Sequence, residues 1–505
     1  MPAYRISMEY SLKRLLQGLT NDQTLPELEI TGLSDDSRTV RSGDLFLARA
    51  GHRTSGVLYI EAALRAGAAA VLVEAGTAIT ISTAGTPVIP VAGLEMKVGI
   101  IAARYYGHPS AGISVVGVTG TNGKTTVSYA VARVLENVRK GSAGLIGTLG
   151  VGQSGHLAAS LNTTPGAIRL QQILLGMKDM SISTVVMEVS SHGLDQGRVS
   201  GIRFHTAVFT NLTQDHLDYH GDMEMYAAAK KQLFLAPGLE HAVINTDDPY
   251  GARLSKKISD RLHLIAYGLE DKSPGSRRNN NEYLSGVILE SRLDHLRLEV
   301  NSPWGGGQVD IHAGGRFNAY NFLAGLAVLY VLDLPFDQAL RELPGVFPIP
   351  GRIETFRGRG NFTVVVDYAH TPDALENVLG SLREVCAGRL ICVFGCGGDR
   401  DKGKRPRMGE IAGRYADLII LTNDNPRSEQ PEAIINDILA GITDSGRIIV
   451  QADRAEAISS AIGRARADDI ILVAGKGHET YQEIGQQRYP FNDRQLVRNL
   501  LGDGA

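Results

Sequence analysis

The chain has 505 residues, 43% hydrophobic and 21% charged, with a formal net charge of −3. One hydrophobic core stops growing at roughly 250–300 residues, so about three domains are expected, and this balance excludes a disordered or fibrous chain. So small a net charge supplies no long-range field for nucleic acid or anionic lipid, and any anionic ligand must be met locally.

The opening MPAYRISMEYSLKRLL scatters charges where a secretory signal needs an apolar segment, and nowhere do about 18 apolar residues run together. A cytoplasmic protein without membrane insertion is expected. Gly43-Asp44-Leu45-Phe46-Leu47-Ala48, an apolar helical stretch over 56–68 and the strand-like Ala70-Val71-Leu72-Val73 predict a small α/β unit without a phosphate loop. A helix-like segment then reaches Gly107-His108-Pro109, which punctuates a linker. From there β-branched runs at 113–118, 184–189, 207–209 and 242–245 alternate with helical patterns, as in a parallel, helix-covered sheet.

Between 273 and 309 the pattern changes to a polar loop and period-two segments such as 296–300, divided by a turn-rich stretch at 301–307. A small antiparallel addition fits there, closed by a helix after Arg316. Past Phe347-Pro348-Ile349-Pro350-Gly351, strands are expected at 363–366, 390–394, 418–422, 448–450 and 470–473. Their helix-length spacers predict a second doubly wound sheet, whose ligands gather at the carboxyl ends of the strands. Cys386, Cys392 and Cys396 cluster in one expected strand region without zinc spacing, and reduced thiols without metal are expected.

The strongest local signal is the strand-like 113–118 leading into Thr119-Gly120-Thr121-Asn122-Gly123-Lys124-Thr125-Thr126 and a helical run over 127–135. Glycines let backbone N–H groups face phosphate oxygens, Lys124 reaches the β- and γ-phosphates, and the Thr125 hydroxyl suits Mg²⁺. The spacing departs from the usual loop: five residues separate Gly117 from Gly123, and Val118 stands where the first glycine is expected. Glu188, ending the apolar run Thr184-Val185-Val186-Met187, is placed to hold Mg²⁺, although such an acid serves equally well as a cap or ion-pair partner.

Together, Gly120-Thr121-Asn122-Gly123-Lys124-Thr125-Thr126, Met187-Glu188-Val189-Ser190-Ser191-His192-Gly193, Asn211-Leu212-Thr213-Gln214-Asp215-His216-Leu217-Asp218 and Asp367-Tyr368-Ala369-His370-Thr371-Pro372 resemble the Mur ligase family. Asp36-Ser37-Arg38 and Gly43-Asp44-Leu45-Phe46 also look like the uridine-binding domain of the members that add the third peptide residue. The resemblance implies an α/β chain of three domains. These are a small α/β uridine-binding domain at 1–98, a central P-loop ATPase-type parallel sheet with a small antiparallel addition at 99–346, and a C-terminal Rossmann-like doubly wound domain at 347–505.

The family joins an amino acid to a UDP-muramoyl peptide through an acyl phosphate. A carboxylate must then approach a γ-phosphate, so cations have to stand between two anions, which is the work of Mg²⁺ and Lys124. The resemblance places one Mg²⁺ on Thr125 and Glu188. A second falls on Glu188, His216 and Lys230, the last as a carbamate made from CO₂, since an ammonium would repel the ion. By residue type alone Lys230 reads as a solvated helix lysine and His216 as a structural histidine. Asn318, Asn321, Arg352, Asp367 and His370 complete the expected ATP contacts, with helix capping the plainer reading of the two asparagines.

Ser37, His52, Arg53, Thr54, Asn162, Thr163, Thr164, Ser190, Gln196 and Arg198 match positions that hold the UDP-muramoyl dipeptide, and Arg198 is a natural carboxylate partner. Asp424-Asn425-Pro426-Arg427 resembles the recognition motif of the diaminopimelate-adding branch, with Arg400, Gly475 and Glu479 completing the amino-acid pocket. The expected ligands of this enzyme are therefore ATP, Mg²⁺, UDP-N-acetylmuramoyl-L-alanyl-D-glutamate and meso-diaminopimelate, bound by a monomer with neither nucleic acid nor membrane as partner. A lysine-adding member and a folylpolyglutamate synthetase are the alternatives. The latter is not expected to carry the first domain or Asp424-Asn425-Pro426-Arg427.

Overall fold

A computed structural model describes residues 9–20, 25–49, 55–78, 83, 85–160, 162–270 and 282–502. The chain forms two compact units. One gathers Met1–Thr119, Leu135–Ala207 and Ala229–His241, and the other Gly120–Val134, Val208–Ala228 and Ala242–Ala505.

In the first unit, Gly32–Ser34, Asp44–Ala48, Ala70–Glu74 and Val88–Val91 pair in that order as a parallel sheet. Every residue of Asp44–Ala48 is buried, as in a strand covered on both faces. The helical stretch expected over 56–68 divides into a 3₁₀ turn at Gly56–Tyr59 and a helix at Ile60–Arg65. Gly67, at φ +94°, adopts the left-handed backbone that follows a helix end. Helix Leu94–Tyr105 lays Leu94, Val98, Ile101 and Tyr105, at helical spacing, on a core shared with Leu45, Leu47 and Leu72. The same unit holds Thr184–Glu188, parallel to Ser114–Thr119 on one side and to Ala143–Gly147 on the other. Gly150–Gln153 and His156–Ala158 extend it antiparallel. These last strands gave no sequence signal, because glycines interrupt the first and the second is only three residues long.

In the second unit, Glu282–Ser291 pairs parallel with His263–Leu269 and antiparallel with Leu296–Ser302, which in turn pairs with Gly305–Ile311. The turn expected over 301–307 shrinks to Pro303 and Trp304. Trp304 anchors it by stacking on Tyr330, with ring centroids 3.9 Å apart, so the flanking glycines enter the ladder. The polar loop expected from 273 lies mostly outside the described residues.

The C-terminal sheet runs Glu354–Arg357, Thr363–Asp367, Ile470–Ala474, Leu390–Phe394, Leu418–Leu421, Ile448–Val450, parallel except for its first strand. Alternate residues face opposite layers. Val365, Cys392, Leu421 and Leu472 pack into one core, and Val364, Val393, Ile420 and Val473 into the other. A doubly wound sheet results, as expected. The cysteines differ from expectation: Cys386 follows helix Pro372–Val385, Cys392 lies in a strand and Cys396 just beyond it. All three are buried free thiols, and burial pushes Cys396 up to about 12.

Candidate active site

The phosphate loop opens into helix Lys124–Val138. Gly123 sits at φ +84°, and a Cβ there would lie 2.3 Å from Asn321 Oδ1, so only glycine lets the loop pass beneath helix Arg316–Val331. Lys124 Nζ donates to the Gly120 and Thr121 carbonyls at 2.9 and 2.8 Å. Asn211 Oδ1 accepts from the Asn122 N–H at 2.9 Å, and Asn122 Nδ2 donates to Asp373 at 2.7 Å. Thr125 and Thr126 are buried, and Arg352 Nη2 donates to Thr125 Oγ1 at 3.1 Å.

A cavity of about 360 Å³ adjoins this loop, lined by Asn122, Gly123, Thr126, Asn318, Asn321, Arg352 and Asp367 among the expected ATP residues. Tyr267, Phe317 and Tyr320 add flat apolar surface to the same wall, a contribution the sequence reading did not include. Asn318 Nδ2 donates to the Gly314 carbonyl at 2.8 Å, within its own helix start. Asp367 accepts from the N–H groups of Ile353 and Ala369 at 2.9 and 2.8 Å, and burial raises its pKa. Arg352 lies over the Tyr368 ring, 4.6 Å from its centroid.

His216 takes a left-handed backbone at φ +57°, with Nε2 3.2 Å from Asp215 Oδ2. Lys404, itself buried, brings its ammonium within 3.7 Å of the other Asp215 oxygen. Burial works to raise the Asp215 pKa, but Lys404 and His216 outweigh it and hold the carboxyl well below its usual range. An anionic Asp215 thus orients His216, as carboxylates behind metal-binding histidines do. Lys404 gave no signal in the sequence, because its partner comes from a distant segment. Burial and Lys404 depress His370 to about 4, and its Nδ1 faces the Tyr368 carbonyl at 2.8 Å.

In the first unit, the Glu188 carboxylate is buried at its strand end and accepts from Thr148 N and Oγ1 at 2.7 and 3.0 Å. Thr148 also meets Thr163, with the hydroxyls 3.1 Å apart. Thr164 Oγ1 donates to the Glu188 carbonyl and accepts from Ser190 N, both at 2.9 Å, and Ser190 Oγ caps helix Ser191–Asp195. Arg198 donates to the Thr164 carbonyl at 2.9 Å and, through Nε and Nη2, to Gln196 Oε1. Thr164, Ser190, Gln196 and Arg198 therefore form one network, while Asn162 is exposed and Ser37 sits in the turn after Gly32–Ser34. His52, Arg53 and Thr54 lie outside the described residues. Lys230, at 1% exposure, is among the most buried large side chains, which overturns the reading of a solvated helix lysine. Neighbouring Lys231 is only half-buried.

Arg400, Asp424, Asn425, Pro426, Arg427, Gly475 and Glu479 follow the carboxyl ends of three adjacent strands, where a doubly wound sheet gathers ligands. Asn425 is the hub: its Oδ1 accepts from Lys476 Nζ at 3.0 Å and Glu483 N at 2.8 Å, and its Nδ2 donates to Glu479 at 2.9 Å. Glu479 also accepts from Lys476 at 2.7 Å, so a buried lysine of this chain already holds one of its oxygens. Gly475 sits at φ +113°, a backbone that favours glycine, and a Cβ there would also crowd Asp424 Oδ2 at 2.4 Å. Arg427, at φ +51°, donates through Nε to Glu483 at 3.0 Å and through Nη1 to the Gly398 carbonyl at 2.7 Å. Burial and then the nearby Arg427 depress the Arg400 pKa. Two guanidiniums under mutual strain are what an anion relieves.

A buttress beneath these loops was missed from sequence. Fully buried Arg405 donates to Glu429 at 2.8 and 3.0 Å and to Asp437 at 2.8 Å, while Glu429 accepts from Asp399 N. The hydrogen bonds from Arg405 hold Glu429 down at about 2, from an ordinary value of 4.5. A depressed carboxylate stabilises above its unfolded pKa and loses that contribution as pH falls through the folded one. The stability lead of the unmodified chain over Glu429→Gln should therefore be full near neutrality and narrow, by up to about 3 kcal/mol, as pH falls from about 4.5 towards 2. Urea midpoints from pH 7 to pH 3 would check it, and a lead independent of pH would refute it.

Three family models match the chain: the Mur ligase catalytic domain over residues 29–106, the Mur ligase middle domain over 118–329 and the Mur ligase glutamate ligase domain over 351–477. A UDP-N-acetylmuramoyl-L-alanyl-D-glutamate–2,6-diaminopimelate ligase of Coxiella burnetii is 45% identical over 483 residues, covering 95% of this chain and 97% of that one. Its Pseudomonas aeruginosa counterpart is 46% identical and covers 98% of each. A solved structure of a ligase of the same name aligns with a TM-score of 0.68 at 35% identity, over 98% of this chain and 99% of that one. Among the described residues no helix is long and apolar enough to cross a membrane.

Proposed function

The chain belongs to the Mur ligase family, and on that premise we propose that it is the ATP-dependent ligase adding meso-diaminopimelate to UDP-N-acetylmuramoyl-L-alanyl-D-glutamate. The observation that carries this reading is identity of 45–46%, across nearly the whole chain, to relatives of that name. We assign the nucleotide sugar to residues 1–98, ATP to 99–346 and the amino acid to 347–505.

In this assignment the loop N–H groups and Lys124 bind the triphosphate, and the adjoining cavity of about 360 Å³ receives the rest of the nucleotide. The substrate carboxylate takes the γ-phosphoryl group, the incoming amine displaces phosphate from the acyl phosphate, and ADP and phosphate leave. Mg²⁺ is assigned to the Thr125 hydroxyl, to the Glu188 carboxylate, which Thr148 orients, and to His216, which Asp215 orients, because hydroxyl and carboxylate oxygens are the donors Mg²⁺ prefers. Bound there, the ion supplies charge neutralisation of the phosphate oxygens.

Lys230 is assigned as the carbamate. An ammonium would repel the ion, and conversion to a carbamate turns this buried side chain into an oxygen donor. Lys230→Ala should lower turnover by roughly 10- to 100-fold or more, the scale on which disturbing a metal ligand's surroundings acts. A short-chain carboxylate should restore part of it and bicarbonate none. Carbon-13 labelling should mark Lys230 and not Lys231, and a fully active enzyme with unmodified Lys230 would end the assignment.

The reaction itself is tested by phosphate release. It should require ATP, the UDP-muramoyl dipeptide and an amino acid together. Release without the amino acid at the same rate would instead favour a nucleotide-driven motor or binding protein.

A further inference from the structure

We propose that His205, Glu240 and His241 form a zinc-binding site, separate from every residue assigned above to ligation. One ligand atom from each lies within 4.8 Å of the other two. Backbone fixes this placement. The N–H groups of Glu240 and His241 both donate to the His205 carbonyl, at 3.3 and 3.1 Å, where His205 precedes strand Thr206–Phe209 and His241 begins strand His241–Asn245. The two imidazoles are neighbours, with centroids 4.8 Å apart and planes 34° apart. Thr206 Oγ1 engages His205 Nδ1 at 2.8 Å, which steadies that ring and leaves Nε2 to face an ion, the arrangement usual for metal-binding histidines.

Two imidazoles and a carboxylate are the donors of three-ligand zinc sites, with a fourth position open to water. Mg²⁺, which prefers oxygen throughout, is disfavoured here. Tetrahedral zinc with bonds of about 2.0–2.1 Å draws its donors to roughly 3.3 Å apart, so the side chains must close by up to about 1.5 Å. Glu240 is exposed and free to turn inward. Its ion pair with Arg203, at 3.3 Å between groups 60% and 53% exposed, is of the kind that contributes little. The bound ion would staple the starts of two strands together.

The test uses the full chain after chelator treatment, titrated with Zn²⁺ by calorimetry and with Co²⁺ by visible absorption. The unmodified chain should bind one equivalent more than a His205→Ala/His241→Ala variant, and Glu240→Gln should weaken that equivalent by roughly tenfold or more, as loss of one ligand does. Saturating Zn²⁺ should raise Tm by roughly 2–4 °C in the unmodified chain and by less in the double variant. Mg²⁺-supported ligase activity should survive both changes. Equal zinc stoichiometry in the unmodified and double-variant chains, or a Glu240→Gln chain that binds as tightly as the original, would overturn the proposal.

Discussion

Lys124→Ala should reduce turnover by about 10²–10³-fold or more while leaving the fold and thermal stability close to those of the unmodified chain. The reason is the difference between what Lys124 does at rest and what phosphoryl transfer demands. At rest its ammonium donates to two loop carbonyls at a half-buried position, bonds that water can replace when the side chain is shortened. During transfer, negative charge gathers on the γ-phosphoryl oxygens as an anionic carboxylate approaches. A cation already positioned there acts mainly on the transition state. The deficit should accordingly fall on kcat more than on the Michaelis constant for ATP, whose remaining contacts lie along the cavity wall. Stopped-time phosphate release beside circular dichroism would decide it. Near-normal turnover from a natively folded Lys124→Ala chain would remove Lys124 from the reaction.

That loop was legible in the sequence because its chemistry is local: a strand, two glycines, a lysine and a helix within some twenty residues. The C-terminal sheet was legible for the same reason, since its β-branched runs repeat at helix-length intervals. The glycine-rich strands Gly150–Gln153 and Gly305–Ile311 were not, because their β-conformation comes from neighbours in the ladder rather than from their own side chains. Pairings between distant segments stayed hidden too. Nothing around Asp215 announces that Lys404 will lie 3.7 Å away, and nothing in Asp424-Asn425-Pro426-Arg427 announces Lys476 or Glu483. Burial was equally invisible, which is why Lys230 read by itself as a solvated residue.

Those hidden partners sharpen what Arg427 can be asked to do. Its Nε and Nη1 are engaged by Glu483 and by the Gly398 carbonyl, so the guanidinium is aimed before any substrate arrives, and its planar fork carries further N–H donors. Arg400 stands close enough to feel its charge. If this pair receives the distal carboxylate of meso-diaminopimelate, lysine, which lacks that group, leaves both cations uncompensated. A site built around a polar group can reject the analogue lacking it by on the order of 10⁴-fold. Arg427→Ala should raise the Michaelis constant for diaminopimelate far more than that for ATP or the UDP-muramoyl dipeptide, and should collapse the preference over lysine. Arg427→Lys is the informative companion, because it keeps the charge and the same side-chain demand on the left-handed backbone but loses the fork, so discrimination should fall between the two. The quantity to measure is kcat/KM for meso-diaminopimelate divided by that for L-lysine in all three chains. A ratio that survives Arg427→Ala, or an unmodified enzyme that prefers lysine, would reassign the amino acid while leaving the ligase chemistry in place.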